Sequence, residues 1–251
     1  MVILSLLFFS VAILFYMWAL AHRNTVAHTV IPLDGFPKSF EGMTIFFISD
    51  IHRRVVSNQL IETIPTADVV VIGGDLAEKG VPIERISENL RRLSKVGPLY
   101  FVRGNNDEEI DQQTLNHLFQ EHHVTVLDNT SVTFTSTSND QLHFLGIDDL
   151  TKQKADLKKA ISSSGDGFRI LISHDPRIVN RITSEQQIGL VLSGHTHGGQ
   201  IRLFHLGLYE KGGLFERSNT TLFVSNGYGT TLLPLRLGAP AETHLLTLKS
   251  R

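Results

Sequence analysis

The chain of 251 residues contains no cysteine. That excludes disulfides, thiolate metal sites and cysteine nucleophiles together, so a metal centre would have to use His, Asp, Glu or Asn. Neither charge is in excess: 23 Lys and Arg stand against 25 Asp and Glu, for a formal net charge of −2. The global basic signature of a nucleic-acid binder is therefore missing, and no nucleic-acid partner is expected. A His-Glu-x-x-His helix motif and a Ser/His/Asp signature are also absent, which counts against an amide hydrolase of either kind. No internal repeat and no extended low-complexity tract interrupts the chain.

Charge is missing altogether from residues 2–21, VILSLLFFSVAILFYMWALA. A helix of that length matches the hydrocarbon thickness of a bilayer, with Tyr16 and Trp18 placed for an interface. Ala19-Leu20-Ala21 also has the small-x-small form of a signal-peptide cleavage site. The segment reads as a transmembrane anchor or a signal-like segment; its length and the lack of a preceding basic residue favour the anchor. Arg23 and Lys38 follow it, so the positive-inside rule leans toward a cytoplasmic domain on a single-pass protein of the cell membrane.

Residues 22–42 carry Pro32, Gly35, Pro37 and Gly42 and read as a linker. From residue 43 to 251 the pattern is that of one α/β domain. Short apolar runs at 43–49, 69–73, 99–102, 124–127, 142–147, 168–173 and 188–193 fit strands covered on both faces. Helical spacing lies between them. Residues 81–96 place Ile83, Ile86, Leu90 and Leu93 on one face, with Pro82 in the first turn and Gly97 after the end. Residues 108–123 begin with acids, as a helix N-terminus prefers, and 151–164 reads as a third, short helix. Residues 129–140 read as a polar hairpin. After residue 194 glycines crowd the chain, and strand-like segments follow without long helices.

In open α/β sheets ligands bind beyond the carboxyl ends of strands, and metal-ligand residue types recur there. Asp50 and His52 follow the first apolar run and Asp75 the second. Asn105, Asn106 and Asp107 follow the third. His174 follows the sixth, and His195 and His197 the seventh. The other eight histidines (22, 28, 117, 122, 123, 143, 205 and 244) show no such placement and read as surface or structural. Each strand-end group is weak alone. The strongest is GHTHGG, where residues two apart on extended backbone face the same way and glycines permit close approach. Asp50, His52, Asp75, Asn105, His174, His195 and His197 make seven donors, too many for one tetrahedral zinc. They suit two divalent ions sharing a carboxylate, which together can neutralise the attacking and leaving oxygens of an in-line displacement. The donor set suits Mn, Fe or Zn without selecting among them.

With the blocks SDIH, GGD, GNND, SHDP and GHTHGG in this order, the sequence resembles the calcineurin-like metallophosphoesterase superfamily from about residue 43 onward. The apolar N-terminus, GHTHGGQI and the late SNGYGTTLLPLRLGAPAETHLLTL stretch resemble a bacterial membrane-associated subgroup. The resemblance implies a four-layer sandwich of helices, two sheets and helices. It implies that Asp50, His52, Asp75 and His197 hold one ion, and that Asp75, Asn105, His174 and His195 hold the other, with Asp75 bridging.

The third block departs from the family pattern, which commonly reads Gly-Asn-His-Asp or Gly-Asn-His-Glu. Asn106 stands where that His would serve as general acid or electrostatic stabiliser. An amide can donate a hydrogen bond to a phosphate oxygen but cannot deliver a proton near neutral pH. The expected catalytic set is therefore Asn106, with Arg53 as a bidentate phosphate contact and Asp107, Glu108 or a metal-bound water as a substitute acid. A phosphodiester or pyrophosphate substrate follows, lipid- or nucleotide-lipid-linked by reason of the membrane segment. The rival reading is a low-turnover metal- and phosphate-binding sensor that lacks the usual catalytic His.

Overall fold

The computed structural model describes residues 1–204 and 206–251; His205 lies outside the described residues. The apolar runs become strands because alternate side chains leave opposite faces of a sheet, and here both faces are covered. In β2 (Thr44–Ile48), Phe46 and Ile48 enter the core beneath the first helices, while Ile45 and Phe47 enter a second core between the sheets. β3 (Val69–Ile72) repeats this, with Val70 and Ile72 on one side and Val69 and Val71 on the other.

The first sheet has the order β1-β12-β2-β3-β4-β5. It contains β1 (Thr25–Leu33), β4 (Leu99–Phe101), β5 (Thr125–Val126) and β12 (Glu242–Ser250) beside β2 and β3. Its pairs are parallel except β12 with β2. The second sheet has the order β10-β11-β9-β8-β7-β6. It is built from β6 (Thr130–Thr135), β7 (Gln141–Gly146), β8 (Phe168–Ile172), β9 (Ile188–Ser193), β10 (Gly213–Arg217) and β11 (Thr220–Val224). Helices α2 (Asn58–Thr63), α3 (Ile83–Leu93) and α4 (Gln112–Glu121) bury Leu60, Ile86, Leu90, Leu93, Leu115, Leu118 and Phe119 against the outer face of the first sheet. Helix α5 (Leu157–Ser162) covers the second with Leu157 and Ala160. The result is the expected four-layer α-β-β-α sandwich.

Three expectations are corrected. Residues 22–42 are not a linker: β1 lies within them and pairs in register with all of β12, from Thr25 opposite Glu242 to Leu33 opposite Ser250. Ile31, Leu33 and Phe36 belong to the core between the sheets. Residues 151–156 are not helical, because Asp149 and Asp156 accept backbone N–H groups there and α5 begins only after Asp156. The polar hairpin is one strand and a turn; its second strand is the apolar β7.

Helix α1 (Val2–Ala21) stands clear of the sandwich over Val2–Tyr16 and meets it at Met17, Leu20 and Ala21. A helix leaves its last carbonyls without intrahelical partners, and here the domain supplies some of them. Leu20 O accepts from Ala241 N–H at 3.0 Å, and Ala21 O from Arg54 Nη1 at 3.3 Å. Arg54 also stacks over the Tyr228 ring at 3.6 Å, so this cap is itself held in place.

Because β1 is part of the sandwich, Ile31→Ala should cost about 2–5 kcal/mol of stability, the usual range for truncating a buried aliphatic. Denaturant unfolding of the full chain in detergent measures this. A loss below about 0.5 kcal/mol, typical of a surface position, would return the segment to a linker.

Candidate metal centre

Seven side chains converge at the carboxyl ends of β2, β3, β4, β8 and β9. Five of them need unusual backbone. Asp50, His52, Asp75, His195 and His197 have φ of 55°, 51°, 51°, 69° and 50°, in the left-handed region that non-glycine residues seldom occupy. Such residues cost on the order of 1–3 kcal/mol each and cluster at functional sites. Asp and His tolerate the region better than branched residues do, so the residue types also suit the turns. Neighbouring glycines make room. A Cβ on Gly104 would overlap the Asp75 carboxylate, and one on Gly74, at φ +88°, would fall 2.5 Å from His174 Nδ1.

The donor atoms face one another. His52 Nε2 lies 3.2 Å from His197 Nε2 and 3.7 Å from Asp75 Oδ2. His174 Nε2 lies 3.3 Å from Asp75 Oδ2 and 4.0 Å from Asp50 Oδ1. His197 Nε2 lies 3.5 Å from Asp50 Oδ1, and the His195 ring meets that of His174 edge-on at 4.9 Å. Two overlapping groups can each hold a cation: Asp50 with His52 and His197, and Asp50 with Asp75 and His174. Asp50 belongs to both, while Asp75 Oδ2 sits between His52 and His174 and joins them from the other side.

The surrounding contacts fix which atoms point inward. His174 Nδ1 donates to Gly73 O at 2.8 Å, which turns Nε2 toward the Asp75 and Asp50 carboxylates. His52 Nδ1 lies 3.0 Å from Glu78 Oε2, which orients that ring in the same sense. Asp50 accepts from His195 N–H at 3.0 Å, and Asp75 from Asn106 N–H at 2.8 Å. His174 Nε2 and Asn105 Oδ1 are buried without a hydrogen-bond partner. Unpaired buried polar atoms are costly, and both are atoms a divalent ion would engage. The residues therefore fit such ions.

Titration behaviour reflects the crowding. Burial opposes charging His174, but Asp75 and Asp50 outweigh it and push the imidazole up to about 10. Burial of Asp75 is likewise outweighed, chiefly by His174, which holds its carboxyl well below the usual range. Burial drives His197 down to about 3, helped by the nearby His52 and Arg236 cations, so its ring is neutral at physiological pH.

Asn106 lines a cavity of about 460 Å³ together with His52, Asp75, Asn105, His195 and His197. Two other catalytic expectations are corrected. Asp107 does not face the cavity. It is fully buried, and its carboxylate accepts Gly104 N–H at 2.8 Å, Asp75 N–H at 2.8 Å and Ala77 N–H at 3.3 Å. Burial and the Asp75 charge push it up to about 7, against those donors. The short turn Asp107–Glu109 directs it under the loop that carries Asp75 and Asn105, so it braces the site. Arg53 does not line the cavity either. Its side chain is 71% exposed and pairs with Glu78.

Two supporting residues carry no sequence signal of their own. Glu78 resembles any loop acid, three positions past Asp75. Arg236 is a lone cation in LPLRLG, yet it is fully buried behind His197, with Nη2 3.1 Å from that ring's Nδ1. Its guanidinium donates to the carbonyls of Asn226, Gly229 and Ala239.

Glu78→Gln should weaken divalent-metal affinity about 10–100-fold, as loss of a carboxylate behind a ligating His typically does; titration calorimetry of the full chain with Mn²⁺ measures it. Asp107→Asn should cost about 1–3 kcal/mol, because the amide nitrogen cannot accept a backbone N–H. Unchanged stability with lost turnover would instead restore Asp107 as an acid.

The family model for calcineurin-like phosphoesterases matches residues 43–199. The Bacillus subtilis protein YpbG is 43% identical over 236 residues, covering 92% of this chain and 90% of that one. A bovine transmembrane protein with a metallophosphoesterase domain is 30% identical over 258 residues; the match covers 92% of this chain but 58% of the bovine protein. Among solved structures, a Thermus thermophilus sulfate thiohydrolase aligns with a TM-score of 0.52 at 14% identity, over 82% of this chain and 56% of that chain, which shows a shared fold. By the ordered strand-end donors, the four-layer sandwich and these matches, the chain belongs to the calcineurin-like phosphoesterase family and is a metal-dependent phosphohydrolase.

Proposed function

We propose that the protein is a membrane-anchored, two-metal hydrolase of phosphodiester or pyrophosphate bonds, acting on substrates with an apolar substituent. Asp50, His52, Asp75 and His197 would hold one divalent ion, and Asp75, Asn105, His174 and His195 the other, with Asp75 shared. When bound, such a pair activates water and offsets charge on both the attacking and the leaving oxygen. Mn, Fe and Zn all suit this mix of imidazole, carboxylate and amide.

The chain's own groups set the limits of the reaction. Asn106 faces the cavity and can donate an amide hydrogen bond to a phosphoryl oxygen. Neither Asp107, occupied by backbone donors, nor Glu108, paired with Lys154, is placed to protonate a leaving group. With neither side chain available, and only a metal-bound water left as a proton source, the site favours a leaving group that departs without a proton, as a phosphate or a nucleotide does. Besides the donors, the cavity lining is largely apolar: Ile201, Leu208, Leu232 and Leu233, with Tyr209, Gln200 and Thr231 among them. This juxtaposition carries the reading, since the donors suit a phosphoester and the apolar lining a hydrocarbon, as in a phospholipid or a nucleotide-linked lipid. The domain-supplied cap on α1 supports an uncleaved, single-pass anchor, and Arg23 and Lys38 support a cytoplasmic domain.

The low-turnover sensor rests on the same Asn106, and a leaving-group series separates the two. With Mn²⁺ present, aryl phosphodiesters should turn over, more slowly as the leaving group becomes more basic. Asn106→His should raise rates on the most basic leaving groups by about 10²-fold, the lower end of what general-acid help supplies. No turnover across the series with metal bound would leave the sensor standing.

A further inference from the structure

The geometry points to a second membrane contact besides α1: the loop residues 201–204, 206–208 and 230–235 insert into the lipid leaflet around the mouth of the metal cavity and hold it open to lipid in the plane of the membrane. This rests in part on the reading of the substrate as lipid-linked, but the contact itself follows from lengths and exposed side chains. Twenty residues of α1 span about 30 Å at 1.5 Å per residue, close to the hydrocarbon thickness. The part free of the domain, Val2–Tyr16, spans only about 22 Å. To place the whole apolar helix in hydrocarbon, the protein surface beside Met17–Ala21 must sink by about 7 Å, within the usual depth of interfacial segments.

The surface at that place is built for it. Arg236 N–H donates to Met17 O at 3.0 Å and Ala241 N–H to Leu20 O at 3.0 Å, so the chain after residue 235 lies against the end of α1. The loop before it exposes Leu232 at 98% and Leu233. The segment of residues 201–204 and 206–208 is stitched to the same loop: Arg202 N–H donates to Leu237 O at 2.8 Å, and Gln200 Oε1 accepts from Thr231 N–H at 2.9 Å. It exposes Leu203, Leu206, Leu208 and, at 96%, Phe204. Neither segment contains an acid or a lysine. Its one arginine, Arg202, turns its Nη1 back onto the carbonyls of Gly198 and Tyr209. A contiguous apolar surface of this kind marks a binding site for membrane or protein, and its continuity with α1 selects the lipid leaflet. Leu208, Leu232 and Leu233 belong to both this surface and the cavity wall, so the apolar surface continues into the cavity that holds the metal donors.

The absence of cysteine makes the test direct. Phe204→Cys, Leu206→Cys and Leu232→Cys, and Ser138→Cys in the turn between β6 and β7, each give the full chain a single labelling site. With an environment-sensitive fluorophore and one chain per nanodisc, labels at 204, 206 and 232 should be quenched by lipids brominated near the headgroup, and the label at 138 should not. Equal quenching at all four sites, or none at 204 and 232, overturns the inference. Excimer emission from pyrene at residue 204 in detergent micelles would assign the surface to a second copy of the chain and overturn it as well. The paired substitution Phe204→Ser with Leu206→Ser should raise KM for a vesicle-borne phosphodiester and leave kcat on a soluble aryl phosphodiester unchanged. Quenching without turnover on any substrate would sustain the leaflet contact and remove the hydrolase reading; turnover without quenching would do the reverse.

Discussion

Two buried carboxylates, Asp50 and Asp75, set the terms for the rest of the molecule. Placed side by side away from water they would repel each other and lose hydration, a combination the interior does not tolerate without compensation. Compensation comes from every direction: imidazoles of His52, His174 and His197, and backbone N–H groups of His195 and Asn106. Bringing these groups together forces five site residues into left-handed backbone, and the glycines beside them leave the space this requires. The two sheets hold the arrangement, because strands buried on both faces cannot slip without moving a whole row of side chains out of the core.

The same logic explains the residues behind the donors. Asp107 ties three backbone N–H groups together beneath two of the strand-end loops. Arg236 fills the space behind His197 with a cation whose protons end on carbonyls. Its own backbone N–H holds the end of α1. Helix α1 and the metal pocket are therefore joined through a single arginine.

Much of the site was legible because a metal-ligand residue at the end of an apolar run stands out: Asp50, Asp75, His174 and the His195/His197 pair each interrupt a strand pattern. What the sequence concealed was direction. Asp107 adjoins Asn106 in one motif, yet a single turn of tight helix sends one side chain into the cavity and the other beneath it. Arg53 adjoins His52, yet its largely exposed side chain turns aside to pair with Glu78. β1 was hidden because an edge strand is only half buried and tolerates a proline; TVAHTVIPL shows neither strict alternation nor a continuous apolar run. The layers were readable because periodicity reports burial. The pairing of β1 with β12, more than two hundred residues away, leaves no local trace.

The claim on which the account turns is that Asp75 is shared between two divalent ions. Metal analysis of the purified full chain in detergent, alongside Asp75→Asn, measures this most directly. The account predicts two equivalents of divalent metal per chain in the unaltered protein, and at most one in the variant. One equivalent in the unaltered protein, or two retained in Asp75→Asn, would contradict it.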